Sequence, residues 1–293
     1  MIYLLLIVPP LMWAGNAVIS RAVLADGGMP PMALSFWRWV LAAAILVLLT
    51  RGDLIREWPK VKRQLPFLVF MALASVSAYN TMLYQALTST TAINAMIVAS
   101  SLPLVTILLS WLWLGERPKP LALAGLALSF AGLLAVIGRG DLAVLAAFSF
   151  EPGDLWVLAA TLSWGVYSVA LRRYPTGIKP LVLLTWLALI GTPFLLPLHL
   201  AELAQGRAPA LTWVNLGAVI YVAVCASVLA YICWNEGVVR LGAGLAGQFT
   251  YLTPLFAALL AVFFLGESFQ LYHAAGLGLI FAGIGLASLK SSR

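Results

Sequence analysis

Charge is what this sequence has least of. Only 9% of its 293 residues are Asp, Glu, Lys or Arg, against roughly 25% in a soluble domain, so the chain cannot cover itself with a wetted surface. It has only two cysteines and two histidines, which leaves no metal-binding or redox pattern. Cys225 and Cys233 lie in one apolar run; on a helix they are about 12 Å apart in rise, beyond disulfide reach. His199 and His273 have no nucleophile or metal ligand at a useful spacing. The sequence therefore reads as no enzyme and calls for no cofactor and no metal. Acidic residues are also missing from the middle of every apolar run, Glu236 lying close to the end of one.

Apolar residues fill the space instead, at 63% of the chain. Runs long enough to cross a bilayer, about 18 residues or more, follow one another almost from end to end. Lipid offers no hydrogen bonds to a backbone, so each run is expected to be a helix. Ten spans are expected, at 3–23, 32–50, 65–86, 92–114, 119–138, 154–173, 180–200, 212–236, 243–265 and 270–289. No basic segment precedes the first, which is expected to be retained as a span. The net charge of +7 is then loop charge that orients the chain, not a nucleic-acid footprint. With the N-terminus inside, thirteen Lys and Arg fall on the cytoplasmic side: Arg51, Arg56, Lys60, Lys62, Arg63, Arg117, Lys119, Arg172, Arg173, Lys179, Arg240, Lys290 and Arg293. Four fall opposite: Arg139, Arg207, and Arg21 and Arg38 near outer helix ends. This bias places both termini in the cytoplasm.

The stretch from Pro103 to Gly132 occurs twice. Shifted by 151 residues it becomes Pro254 to Gly283, with fourteen of thirty positions identical and no gap. The shift pairs Pro103 with Pro254, Gly115-Glu116 with Gly266-Glu267, Gly125 with Gly276, Trp13 with Trp164, Arg21 with Arg172 and Tyr84 with Asn235. Apolar composition alone does not hold every Pro, Gly and Glu in register, so a half-length unit is used twice. Each unit has five spans, an odd number, and the second enters the bilayer upside down. The expected fold is an all-α polytopic membrane protein of two inverted five-helix repeats, 1–142 and 143–293, forming one transport domain. Such repeats recur in secondary transporters, with the substrate near the midplane.

The doubled pattern of a mid-helix Pro, then Leu-Gly-Glu at a turn, then a Gly-containing helix ending Phe-Ala-Gly, resembles the drug/metabolite transporter superfamily. It is most similar to the ten-span branch built from two EamA-type units, from Trp13 to Leu289. Trp and Tyr on the polar faces of several spans are similar to those of the aromatic amino-acid exporters of enteric bacteria. The resemblance implies transport of a small molecule across a bacterial inner membrane. The branch includes exporters of amino acids, other metabolites and drugs, so it does not fix the substrate.

The polar faces give the candidate cavity. Trp13 and Asn16 share one face of the first span, and Trp164, Tyr167 and Ser168 a face of the sixth. The third carries Tyr79, Asn80 and Tyr84, the eighth Tyr231 and Asn235. Ser100 and Ser101, then Gln248 and Tyr251, stand beside the central prolines of the fourth and ninth. Polar groups turned to lipid are costly, so these should face protein or water. Spans 1, 3, 4, 6, 8 and 9 would form an inner ring, with the apolar second, fifth, seventh and tenth outside. The competing readings are interfacial anchoring for Trp and Tyr, helix-to-helix bonding for Ser, and snorkelling for Arg21 and Arg38. Pro103 and Pro254 remove a backbone donor and are either static kinks or hinges for alternating access. Glu116 and Glu267, before spans 5 and 10, are expected to cap helix N-termini.

A neutral lining of amides and aromatic rings suits a zwitterion with a large apolar side chain. The expected function is export of aromatic and other large neutral amino acids by alternating access, facilitated because no buried carboxylate is available. The alternatives are a broad drug or metabolite exporter, in which rings bind apolar cations, and a small-solute channel. The expected partners are the substrate and the lipid bilayer, with no nucleic acid; a monomer is compatible with this reading.

Overall fold

A computed structural model describes residues 4–118, 120–147, 150–241 and 249–288. These residues are almost entirely helical, without a strand. Eight helices are long and apolar enough to cross a membrane: α1 (Leu4–Ala25), α2 (Pro31–Arg63), α3 (Leu65–Ala86), α4 (Ala92–Leu114), α5 (Pro120–Ile137), α6 (Pro152–Arg173), α7 (Pro180–Ala204) and α8 (Trp213–Gly237). Two shorter apolar helices follow, α9 (Leu252–Leu265) and α10 (Leu271–Ser288). The chain is a multi-pass membrane protein. Its helices start where local chemistry permits a start. Pro occupies the first position of α2, α5, α6 and α7, where a missing N–H costs nothing. Thr91 and Thr212 accept hydrogen bonds from Asn94 N and Asn215 N ahead of α4 and α8. Gly115 and Gly266 end α4 and α9 in the left-handed conformation, φ 70° and 66°, which favours Gly.

Two elements differ from expectation. The basic segment 51–63 is not a loop but the continuation of α2, a single 33-residue helix. At 1.5 Å per residue it is about 50 Å long, well beyond a hydrocarbon core of about 30 Å. Its charged turns therefore project past the bilayer, where the carbonyl freed by Pro59 is not trapped in hydrocarbon. The fourth span is broken by a turn at Ser100–Ser101, so Pro103 sits in the first turn of a new helix and not at a kink within a continuous one. A turn at Thr250–Tyr251 precedes α9 in the same way, with Pro254 in its first turn.

The connections gather at two ends. At one, Lys60 Nζ donates to Gly177 O at 2.9 Å, Gln64 Nε2 to Thr176 O at 3.0 Å, and Lys179 pairs with Asp53 at 3.0 Å. Residues 51–64 and 172–180 therefore share one end. At the other, Asn215 Nδ2 donates to Gly28 O and Arg139 pairs with Glu151. Single cysteines at Lys62 and Arg173, introduced by Lys62→Cys and Arg173→Cys, should accordingly be modified by an impermeant reagent from the same side of the membrane; opposite sides would contradict this arrangement.

The interior holds two apolar clusters, one centred on α1, α3, α4, α5, α9 and α10, the other on α2, α3 and α7. Helices α5 and α10 make the closest approach. A methyl group on Gly132 would lie 2.6 Å from Gly276 O, and one on Gly283 2.4 Å from Gly125 O. Ser129 Oγ donates to Ile280 O across the seam at 3.2 Å.

Candidate functional site

Two short π-helical segments interrupt the middle of α3 and α8, at Leu73–Ala78 and Val224–Leu229. They stand 151 residues apart, the same shift that aligns the two halves of the sequence. A π turn widens the ladder and leaves carbonyls for other donors. Side chains take them up here. Asn80 Nδ2 donates to Ser75 O and Val76 O, Ser163 Oγ to Ala74 O at 2.8 Å, and Trp13 Nε1 to Ala226 O at 3.2 Å. Residues from α1 and α6 are thereby tied to the irregular centres of α8 and α3.

Between these segments lies Arg38, only 4% exposed. Its Nε donates to Ser227 Oγ at 2.7 Å, and its Nη1 to Asn80 Oδ1 at 2.8 Å and Tyr84 Oη at 2.7 Å. Tyr84 in turn donates to Asn16 Oδ1 at 2.9 Å, and Ser20 Oγ donates to the same oxygen at 3.4 Å. The guanidinium also lies 5.3 Å from the Trp39 ring and 5.7 Å from the Tyr84 ring. Of the readings open to Arg38, snorkelling does not hold. It is seven residues into α2, about 10 Å from the helix start, and α2 turns it inward. The second span is not merely outer packing, and it brings a charge into the interior of the bundle. Arg21, by contrast, stays near a helix end and donates to Leu87 O at 2.8 Å, at the end of α3.

Aromatic side chains flank this network in two groups. Trp13 meets Tyr231 at 6.1 Å and Trp234 at 5.8 Å between ring centroids; Trp164 meets Tyr79 at 4.9 Å and Tyr167 at 5.1 Å. Tyr79, Tyr167 and Tyr231 are each half-buried. The residues brought together are therefore Trp13, Asn16, Tyr79, Asn80, Tyr84, Trp164, Tyr167 and Tyr231. Asn235 is half-buried on α8, one helical turn beyond Tyr231.

Other candidates turn elsewhere. The hydroxyls of Ser100 and Ser101 donate to Ile97 O and Val98 O of their own helix. Ser168 donates to Trp164 O and lines a separate cleft of about 370 Å³ with Glu116, Arg117 and Arg172. The Tyr251 ring packs at a tilt against Phe281, 5.3 Å between centroids. Gln248, with Lys119, Lys290 and Arg293, lies outside the described residues. Sequence reasoning missed Arg38 and Ser227; the available signal was a charge between Trp37 and Trp39 in an otherwise apolar run. Among the described residues no three His, Cys, Asp or Glu side chains could hold a metal ion.

The two turn glutamates are used differently. Glu267 accepts from Ala92 N at 2.8 Å and Ile93 N at 3.1 Å, at the start of α4 rather than of α10. Beside it, His273 Nδ1 accepts from Gln270 N, so the ring's Nε2 donates to Asn94 Oδ1 at 2.8 Å. Asn94 Nδ2 and Thr90 Oγ1 both donate to Asp154, which is fully buried. Glu116 instead pairs with Arg172 at 2.8 Å, both exposed.

Comparison with known proteins follows the same halves. The model of the EamA-like transporter family matches residues 1–138 and again residues 151–289. An uncharacterized transporter of Bacillus subtilis is 26% identical over 277 residues, covering 93% of this chain and 89% of the relative. A probable terminal-alkyne amino-acid exporter of Streptantibioticus cattleyicolor is 28% identical over 260 residues, with 87% and 82% covered. An uncharacterized inner membrane transporter of Salmonella typhimurium is 25% identical over 302 residues, with 98% and 95% covered. A solved structure 22% identical in sequence superposes with a TM-score of 0.64 over 98% of this chain and 96% of its own, a likeness of fold.

Proposed function

This chain belongs to the EamA-like transporter family, and from that premise we propose that it exports aromatic and other large neutral amino acids across a bacterial inner membrane, with both termini in the cytoplasm. The carrying observation is the pair of aromatic groups, Trp13–Tyr231–Trp234 and Tyr79–Trp164–Tyr167, half-buried on the helices that flank the Arg38 network. Offset or edge-on rings add about 0.5–1.5 kcal/mol each beyond burial, enough to prefer a large side chain without strict selection. The amino-acid exporter among the relatives supports the same substrate class, and the inner-membrane relative supports the location.

Transport proceeds by alternating access of two five-helix units, 1–142 and 143–293, inserted in opposite senses. Supporting this are the 151-residue register of the sequence, the π segments at the same shift, and the two matches to one family model. Symmetry supplies the mechanism. If the units hold slightly different packings, exchanging those packings moves the opening of the central space from one face to the other.

Proteoliposomes loaded with unlabelled Phe should accumulate labelled Phe, Trp or Met by counterflow, and a pH gradient alone should drive no uphill flux. No exchange of any amino acid would remove this reading; a pore would show neither saturation nor counterflow. Trp13→Ala and Trp164→Ala should each raise the half-saturation concentration for Phe and Trp by roughly 2- to 10-fold, the equivalent of one lost ring contact, and change that for Thr far less. The cation-exporter alternative is disfavoured by the buried guanidinium of Arg38, which repels a cation within a low-dielectric site.

A further inference from the structure

Arg38 is a buried cation without a buried anion. Among the described residues no carboxylate lies within ion-pair distance of it, since the ion pairs present join other residues, all nearer the helix ends. Its three bonded N–H groups end on neutral acceptors: Ser227, Asn80 and Tyr84. Each acceptor is itself positioned, Ser227 by donating to Val222 O, Asn80 by its two carbonyl bonds, and Tyr84 by Asn16. One edge of the guanidinium is therefore fixed. The two N–H groups of Nη2 have no partner among the described residues. Trp39 Nε1 and Ser35 Oγ on the same helix are sealed and unpartnered, whereas Arg38 as a whole keeps 4% of its surface accessible.

A charge so placed is expensive in a membrane protein unless something pairs with it. The fold does not ask for it. At the 151-residue shift Arg38 corresponds to Leu189, and Ser227 to Val76, so the second half builds the same helices with an apolar side chain there. A pre-oriented guanidinium with an unpartnered N–H pair, set among aromatic rings, has the chemistry of a carboxylate receptor.

We propose that Arg38 is the docking point for the substrate's carboxylate, and that this transporter takes carboxylates bearing a large apolar group. The inference rests on the reading of the aromatic-lined space as the substrate site, but it adds a requirement that reading lacks. The carboxylate is obligatory, whereas the α-amino group is not.

The test uses the full chain, purified and reconstituted, with three probes of one side chain: phenylalanine, 3-phenylpropionate (no amine) and phenylalaninamide (no carboxylate). Competition against labelled Phe and ligand-induced thermal shift are both recorded. Phenylalanine and 3-phenylpropionate should compete and raise the melting temperature of the parent protein, with phenylalaninamide at least tenfold weaker. Arg38→Gln, which keeps an amide donor, should weaken both carboxylates at least tenfold and leave phenylalaninamide unchanged; Arg38→Lys, which keeps the charge, should recover part of the loss. Equal affinity for phenylalaninamide and phenylalanine in the parent, or an unchanged ratio in Arg38→Gln, would overturn the proposal while leaving amino-acid export intact. A fall in melting temperature in both variants with no change in ligand ratio would make Arg38 a structural residue only and also overturn it. A thermal shift produced equally by chloride would show a site for any anion and count against a carboxylate receptor. Binding of 3-phenylpropionate that depends on Arg38, without transport of any amino acid, would uphold the carboxylate site and reject amino-acid export.

Discussion

Gly132→Val should lower the melting temperature of the detergent-solubilised protein by roughly 10 °C or leave no monodisperse protein to measure. The reason lies in what a side chain would meet. At Gly132 the first added carbon comes within 2.6 Å of Gly276 O, 2.8 Å of Leu279 Cβ and 2.9 Å of Ile280 N. Two of those atoms are backbone and cannot rotate aside, so α5 and α10 must separate. Separation breaks the bond from Ser129 to Ile280 O and opens the contacts at Gly276 and Gly283 as well. Overpacking a well-fitted site costs about 1–3 kcal/mol per insertion; with valine's further methyls, about 3 kcal/mol or more is expected. At about 2–4 °C per kcal/mol for chains of 150–250 residues, the shift is on the order of 10 °C. Gly278→Ala is the matched control. Nothing lies within 4 Å of a methyl group there, and alanine gains about 1 kcal/mol of helix propensity over glycine. Its melting temperature should hold or rise. If both variants fall alike, the seam is not the cause.

How far the chain could be read in one dimension follows from what lipid permits. A span must satisfy its own backbone, so apolar length located most helices closely, α5 being expected at 119–138 and found at Pro120–Ile137, but it ended α2 thirteen residues early, because the charged turns 51–63 continue the helix beyond the apolar run. The glycines of the α5–α10 seam, Gly125, Gly132, Gly276 and Gly283, are those the repeat holds in register, and close helix approach requires such small residues. What the sequence hid is partnership over distance. Arg38 read as a helix-end arginine because distance from a span end says nothing about which face it occupies; its Ser227 partner is 189 residues away. Glu267 read as a cap on the helix that follows it, yet the N–H groups it accepts from are 175 and 174 residues back. The π segments carry no Gly or Pro to mark them, since LASVSA and VCASVL are ordinary apolar stretches. Their only trace is that they occupy the same register in both halves.

Glu267→Ala should raise the rate at which a cysteine at Ser101, introduced by Ser101→Cys, is modified from the outer face by roughly tenfold. Ser101 is fully buried at the break in α4, and the turn ahead of α4 is held shut by Glu267, Asn94, His273, Asp154 and Thr90. Glu267 alone satisfies two N–H groups that the helix start leaves unpaired, and its charge also complements the helix dipole. Losing such a cap costs about 1–2 kcal/mol, and about 1.4 kcal/mol is a tenfold change in an equilibrium. Glu116, at the same register in the other half, pairs with exposed Arg172, a contact worth at most about 1 kcal/mol. The two glutamates, at one register in the two halves, thus make different contacts: Glu267 holds backbone N–H groups and Glu116 an exposed guanidinium. Glu116→Ala should consequently leave outer-face labelling of the Ser101→Cys site unchanged. Glu267→Gln, which keeps an acceptor oxygen but not the charge, should fall between parent and alanine. Equal labelling in parent and Glu267→Ala would make the contact a static cap, and an equal rise in Glu116→Ala would show that neither glutamate distinguishes the two faces.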